Sequence, residues 1–337
     1  ITGEARVLAP TEKISRPRIV LPSFRVFDPE VRLQAFLESA RPAKPVLCGV
    51  VHPCEEQSLR AVLRATELGL IEPVIFAPEA RLHALVEQFG ISLQGLRIET
   101  VAHSHAAAER AAEWAAQQVL NQVPAMLLKG SLHTDEMMHA LLATPGLRTK
   151  RRASHVFRLD APMYAKPLLI SDAALNIQPS LEEKADIVQN AIDAAQALGV
   201  ERPKVALLAA VETVTSKMVA TLDAAALCKM ADRGQITGGV LDGPLAFDNS
   251  ISMEAVRIKG IISPVAGDAD VLIVPDLESG NMLAKQLEYL GGAASCGVVL
   301  GLRVPVALTS RADGVASRVA SVAFALRLAA HYARHQP

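Results

Sequence analysis

Short apolar runs alternate with amphipathic stretches from about residue 40 to the end of the chain. Pro45–Val51 (PVLCGVV) has the length of a strand, and Glu55–Gly69 follows with helical spacing and a glycine stop. The same reading predicts strands over Glu72–Phe76 and Val123–Leu128, and helices over Ala80–Phe89 and Asp135–Leu142. Farther on it predicts strands over Ser154–Leu159, Lys166–Ile170, Lys204–Leu208 and Asp270–Pro275. Helices are expected over Leu181–Leu198, with Gly199 as C-cap, over Thr221–Arg233, closed by Gly234, and over Asn281–Leu290. Val298 and Val304–Leu308 belong to two late strands, and Val315–His331 is the last helix. Residues 1–25 mix proline, charge and short apolar pieces and read as a linker or arm. Strands alternating with helices predict an α/β fold of parallel β-α-β units. No repeat of fixed period appears. Open parallel sheets bind ligands at the carboxyl ends of their strands, so the strand-to-helix turns are where chemistry is sought.

Composition narrows the search. Half of the 337 residues are hydrophobic but only 4% are aromatic, so Ala, Leu and Val supply the core, as in helices packed on parallel strands. The length suits two domains. A formal net charge of −1 gives no global field for nucleic acid or an acidic membrane. No apolar run reaches the ~18 residues of a membrane span. An anionic ligand must then be held by local cations and backbone amides. Cys48, Cys54, Cys228 and Cys296 form no CxxC pair, which argues against a zinc ribbon or disulfide framework and fits a reducing cytoplasm. His133 and His139 stand six residues apart, not the four of a one-face pair, and no metal site is expected. The chain starts at Ile1, without the layout of a signal peptide.

Three turns carry candidate chemistry. In Lys129-Gly130-Ser131-Leu132-His133-Thr134, Gly130 permits close backbone approach, and Ser131 and Thr134 can donate to an anion at a helix start. The plainer alternative makes Thr134 an N-cap, with Asp135 and Glu136 complementing the helix dipole. In Thr309-Ser310-Arg311-Ala312-Asp313-Gly314, Arg311 offers a planar fork for phosphate, a contact contributing about 1.5–3 kcal/mol. Ser310 can bond the same group, and Asp313 either accepts a proton or caps the final helix. In the third turn, Asn281 reads as an N-cap and Lys285 as a lysine near a helix start, where it opposes the dipole unless a ligand keeps it there. Asp242-Gly243-Pro244 reads as a sharp turn. The basic run Arg148, Lys150, Arg151, Arg152 is either a solvated surface or a grip on the phosphates of a large nucleotide ligand such as coenzyme A. GxGxxG after a strand, GxxxxGK[ST] and GxSxG are all missing.

Taken together these turns resemble the phosphate acetyl/butyryltransferase family. The matching stretches are KGSLHTDE (Lys129–Glu136), LLISDAALNIQPSLEEKADIVQNA (Leu168–Ala191), AAVETV (Ala209–Val214), LDGPLAFDN (Leu241–Asn249), SPVAGDADVLIVPDLESGNMLAK (Ser263–Lys285) and PVALTSRAD (Pro305–Asp313). The combination is most similar to the transferase half of bifunctional enoyl-CoA hydratase/phosphate acetyltransferases, and Gly3–Ile14 resembles the join between such halves. The resemblance implies a two-domain isocitrate/isopropylmalate dehydrogenase-like α/β fold with an interdomain cleft. One domain would comprise residues 26–150 plus 299–337 and the other 151–298. It also implies a homodimer, a cytoplasmic location, and acetyl transfer between acetyl phosphate and coenzyme A as substrate, with no cofactor.

On this resemblance Ser310 and Arg311 match the family's phosphate-binding and catalytic pair. Gly130 to Thr134 matches its other phosphate-side loop, and Asn281 with Lys285 matches a Gly-Asn-x-x-x-Lys helix start. Arg148, Arg151 and Arg152 are the candidates for coenzyme A. Some relatives carry a thiol-activating aspartate seven residues beyond the serine. Here that position is Ser317, which leaves Asp313 as the loop's carboxylate. A butyryltransferase, a dehydrogenase on the same fold, and an acyl-CoA-binding regulatory domain are the alternatives.

Overall fold

The structure, a computed structural model, describes residues 28–335. The arm at residues 1–25 and the Gly3–Ile14 segment lie outside the described residues. The first half contains α1 (Pro29–Ala40), β1 (Val46–Val51), α2 (Glu56–Glu67), β2 (Ile71–Ala77), α3 (Glu79–Phe89), β3 (Arg97–Thr100), α4 (Ser104–Leu120), β4 (Ala125–Lys129) and α5 (Thr134–Ala143). The next stretch contains β5 (Ser154–Asp160), β6 (Leu168–Ser171), α6 (Leu181–Ala197), β7 (Lys204–Leu208), α7 (Val219–Asp232), β8 (Val240–Leu245), α8 (Phe247–Ile251), α9 (Met253–Lys259), β9 (Val271–Ile273) and α10 (Leu277–Tyr289). The chain ends with β10 (Ala294–Leu300), β11 (Val306–Ala307) and α11 (Val315–Tyr332).

The eleven strands of the described residues form one sheet, in the order β3-β2-β1-β4-β11-β10-β5-β6-β9-β7-β8. It is mostly parallel. β10 is antiparallel to both β11 and β5, and β5 is antiparallel to β6. The central strands are buried on both faces, which is why β1 (VLCGVV) and β7 (KVALL) read as continuous apolar runs rather than alternating ones. Core clusters lie on both faces of the sheet, one built on α2, α6 and α11, another on α4 and α5. β11 pairs with β4, and α11 packs on α2, so the end of the chain rejoins the first strands.

Helix starts differ from expectation at three places that matter for the site. His133 holds the N-cap position of α5 without a side-chain bond, and Thr134 is the first helical residue. Asp276, not Asn281, caps α10, accepting from the Ser279 N–H at 2.8 Å. Lys285 therefore lies two turns inside the helix, where the dipole argument does not apply. Gly314 holds the N-cap position of α11, so Asp313 precedes the cap. Gly199 closes α6 in the left-handed region (φ 99°), one residue past the Leu198 C-cap. Asp242–Leu245 is not a free turn but part of the edge strand β8, where a proline is tolerated.

Candidate active site

The carboxyl ends of β1, β4 and β11 meet at one end of the sheet. Gly130 donates its N–H to Val51 O at 2.8 Å, and Ser131 donates its N–H to His52 O at 2.9 Å. The Ser131 hydroxyl also donates to His52 O (2.8 Å) and accepts from the Cys54 N–H (3.1 Å). The turn after β4 is thus fastened to the turn after β1, and a Cβ on Gly130 would fall 2.4 Å from His52 O. The Ser131 proton is committed to this fastening. Thr134 is partly exposed at the start of α5, while Glu136 accepts from the Ser104 hydroxyl and Asp135 is exposed.

The loop after β11 is exposed at Ser310 and Arg311 and buried at Thr309 and Asp313. Asp313 Oδ2 accepts from the Ser310 N–H at 2.7 Å, so this carboxylate holds the backbone of Ser310 and not its hydroxyl. The Ser310 hydroxyl accepts from the Ala312 N–H at 3.3 Å. Burial pushes the Asp313 carboxyl above its ordinary range, while the Ser310 N–H, Lys285 and Arg318 act to lower it.

Two cations missed in the sequence lie beneath this loop. Lys129, the last residue of β4, is 2% exposed, with its Nζ 3.4 Å from Thr309 O and 3.5 Å from Gly130 O. Burial, then the charges of Arg318 and Arg311, push its ammonium down to about 8. Arg318, in the first turns of α11, is 1% exposed and bonds the loop throughout. A signal for both existed. Lys129 ends an otherwise apolar strand (AMLLK), and Arg318 falls on the same helical stripe as the buried Val322 and Leu326.

α10 brings the fourth cation. Asn281 donates to Ala173 O at 3.1 Å, which fixes the helix against the turn after β6. Lys285 pairs with Glu288 at 2.9 Å, and Glu288 accepts from the Ser295 hydroxyl at 3.1 Å. Ser317, at the position of the relatives' aspartate, donates to Ser295 O at 2.6 Å. The Lys285 turn therefore reaches the start of β10 and α11, close enough for Lys285 and Glu288 to act on Asp313. Ser310, Arg311, Asp313, Lys285 and the Gly130 turn come together. Asn281 belongs to the support of α10.

The basic run does not join them. Arg148, Lys150 and Arg151, with Arg303, line a cavity of about 1100 Å³ whose floor includes Ala125 and Pro305. Those residues stand at the amino ends of β4 and β11, four strand residues (about 13 Å) from Lys129 and Thr309. Arg151 is ion-paired with Asp193, and Arg152 with Glu183 at 3.0 Å. In a smaller cavity of about 420 Å³ beside α1, Arg32 and Arg158 pair with Asp160 and Lys166 with Asp270, while Arg327 donates to the carbonyls of Ala197 and Ser39. The cysteines are free thiols, and burial pushes Cys54 up to about 11 and Cys228 and Cys296 up to about 12. They stay protonated at neutral pH and make poor nucleophiles.

Fold and site together define an α/β protein in which cations from three separate chain segments gather at strand carboxyl ends. The chain belongs to the phosphate acetyl/butaryl transferase family, whose sequence pattern matches residues 35–326. It is 55% identical to a phosphate acetyltransferase of Rhizobium meliloti over 295 residues, 87% of this chain and 92% of the relative. A probable phosphate butyryltransferase of Bacillus subtilis is 39% identical over 303 residues, 90% of this chain and 99% of that one. A solved branched-chain phosphotransacylase of Enterococcus faecalis superposes with a TM-score of 0.73 at 30% identity, covering 84% of this chain and 99% of the other.

Proposed function

We propose that this chain is a phosphate acetyltransferase, moving an acetyl group between acetyl phosphate and the thiol of coenzyme A. The observation that carries the reading is the gathering of Arg311, Lys129, Arg318 and Lys285 around the loop after β11, where Asp313, Glu288 and Glu55 are carboxylates close enough to act on them. Such a gathering of positive charge favours an anionic group such as phosphate. Higher identity to an acetyltransferase than to a butyryltransferase favours the two-carbon substrate.

In this mechanism a cationic site first favours the thiolate, because positive charge nearby lowers a thiol's pKa from ~8.5. The thiolate attacks the acetyl carbonyl, a carbon–sulfur bond forms, and the carbon–oxygen bond to phosphate breaks. Arg311 takes two phosphate oxygens in its fork, Ser310 and Thr134 donate hydroxyls, and Lys285 meets the charge that grows on the leaving oxygen. Gly130 and Ser131 hold the neighbouring turn in place. Asp313 keeps the Ser310 backbone fixed. No enzyme nucleophile is required.

The same reading divides the chain into residues 26–150 plus 299–337 and residues 151–298, two lobes of an isocitrate dehydrogenase-like fold on a shared sheet. It assigns a homodimer contact to the exposed Val214, Val219, Leu222, Ile258 and Ile262, on elements tied by the Glu212–Lys259 pair. Coenzyme A enters from the side of the loop after β11, which counts against Arg148, Arg151 and Arg152 as its ligands. The test is to mix the protein with coenzyme A and a series of acyl phosphates and to follow thioester formation. Fastest turnover with acetyl phosphate is expected; thioester formation with none of the series rejects the reading.

A further inference from the structure

Ser310 and Arg311 are exposed, yet the loop that carries them is held from beneath by a side chain that is not. Arg318 is among the largest fully buried side chains of the described residues. Its Nε donates to Asp313 O (3.0 Å), its Nη1 to Thr309 Oγ1 (3.1 Å), and its Nη2 to Ser310 O (3.1 Å) and Arg311 O (3.4 Å). All these acceptors lie within residues 309–313. No carboxylate among the described residues forms an ion pair with it. On the other side Lys129 reaches Thr309 O.

We propose that Arg318 is the positioning residue of the Ser310–Arg311 loop, and that it holds a fixed positive charge under the phosphate group. The inference rests on the acyl-transfer reading above and assigns a residue that reading did not need. In a trans peptide the N–H points away from the C=O. Drawing the carbonyl of Ser310 inward therefore turns the N–H of Arg311 outward, toward the side where Ser310 and Arg311 are exposed, and drawing in that of Arg311 turns the Ala312 N–H onto the Ser310 hydroxyl, which it bonds at 3.3 Å. A neutral spacer could make room for the loop, but it would supply neither these donors nor the charge. Arg318 and Arg311 also repel the Lys129 ammonium, so three like charges are held together until an anion enters.

The test compares Arg318→Lys and Thr309→Val with the wild-type full chain, using acetyl phosphate and coenzyme A. Lysine keeps the charge but cannot reach all four acceptors. We expect Arg318→Lys to lower kcat about 100-fold, the scale of misplacing a reacting group by about 1 Å. The KM for acetyl phosphate and the inhibition constant for inorganic phosphate should each rise roughly 10-fold through loss of charge-assisted geometry, while the KM for coenzyme A stays within about 2-fold. Thr309→Val, which deletes one contact, should shift the same constants in the same direction by a few-fold. Guanidinium ion added to Arg318→Ala should restore part of its activity.

An Arg318→Lys protein that melts with the wild type and keeps its kcat and phosphate inhibition overturns the proposal. So do equal losses for both substrates without guanidinium rescue. If Arg318→Lys fails to fold, Thr309→Val decides, and unchanged phosphate inhibition there overturns it. Should the wild type transfer no acyl group, the functional reading fails on its own. The positioning role is then read from calorimetric binding of inorganic phosphate to wild type and Arg318→Lys, where equal affinities overturn it.

Discussion

The two ends of the sheet each gather positive charge, and they do so differently. At the amino ends of β4 and β11, Arg148, Lys150, Arg151 and Arg303 line an open cavity, and Arg151 already has Asp193 as partner. At the carboxyl ends, Lys129 and Arg318 are buried beneath the loop after β11 and bond backbone carbonyls, with Arg311 exposed above them. A surface cation is screened by water and mobile, and contributes little to holding a ligand. A cation fixed in a low-dielectric setting acts on whatever anion is brought to it. On the proposed reading, density of basic residues along the chain is a poor guide to an anion site. Burial and a fixed hydrogen-bond frame are the better guide.

The largest expected effect is at Arg311. Arg311→Ala should lower kcat at least ~100-fold, the scale of losing one transition-state donor, with an unchanged melting temperature. Next comes Lys285→Ala, expected to lower kcat/KM for acetyl phosphate about 10-fold, as for one charge-assisted contact; steady-state kinetics check both. Wild-type rates in either variant would erase the distinction between the two ends of the sheet.

The third prediction concerns pH. Buried Lys129 titrates at about 8 in the native state against 10.5 ordinarily. From about 8 to 10.5 the native chain has released this proton while the unfolded chain keeps it, so this group makes stability rise as pH rises through that window. Below it, both states hold the proton and the native state bears the unfavourable buried charge. Urea unfolding at about pH 7 and about pH 9.5 should show that rise as a difference between wild type and Lys129→Met, and saturating inorganic phosphate should shrink it. The smallest effect belongs to the basic cavity. Arg148→Ala combined with Lys150→Ala and Arg303→Ala should change the KM for either substrate by less than about 2-fold. A larger rise for coenzyme A would return its nucleotide end to that cavity.

Much of the fold was legible because doubly buried parallel strands leave continuous apolar runs. β1 and β7 were placed almost to the residue, and α6 and α11 to within a residue or two at each end. α4 was missed. Its SHAAAERAAEWAAQQVL buries small alanines, which give little contrast between faces. β8 was missed because Asp-Gly-Pro signals a turn, while an edge strand accepts the proline. The start of α10 was set four residues late, since Asp276 makes the cap and Asn281 only looked able to. The loop position of Ser310 and Arg311 could be read from their place after an apolar strand. Arg318 was not read as part of the site, and Lys129 was quoted in its turn without a role. A lone charge in an apolar stretch shows its direction only once the sheet brings β4, β11 and α11 together. Ser131 was read as an anion donor, and the structure shows its hydroxyl bound to His52 O instead.

Inhibition by inorganic phosphate, competing with acetyl phosphate, tests most directly which end of the sheet holds the phosphoryl group. The inhibition constant should rise at least ~10-fold in Arg311→Ala and stay at the wild-type value in the triple Arg148, Lys150, Arg303 alanine variant. The opposite pattern, with inhibition intact in Arg311→Ala and lost in the triple variant, would contradict the account.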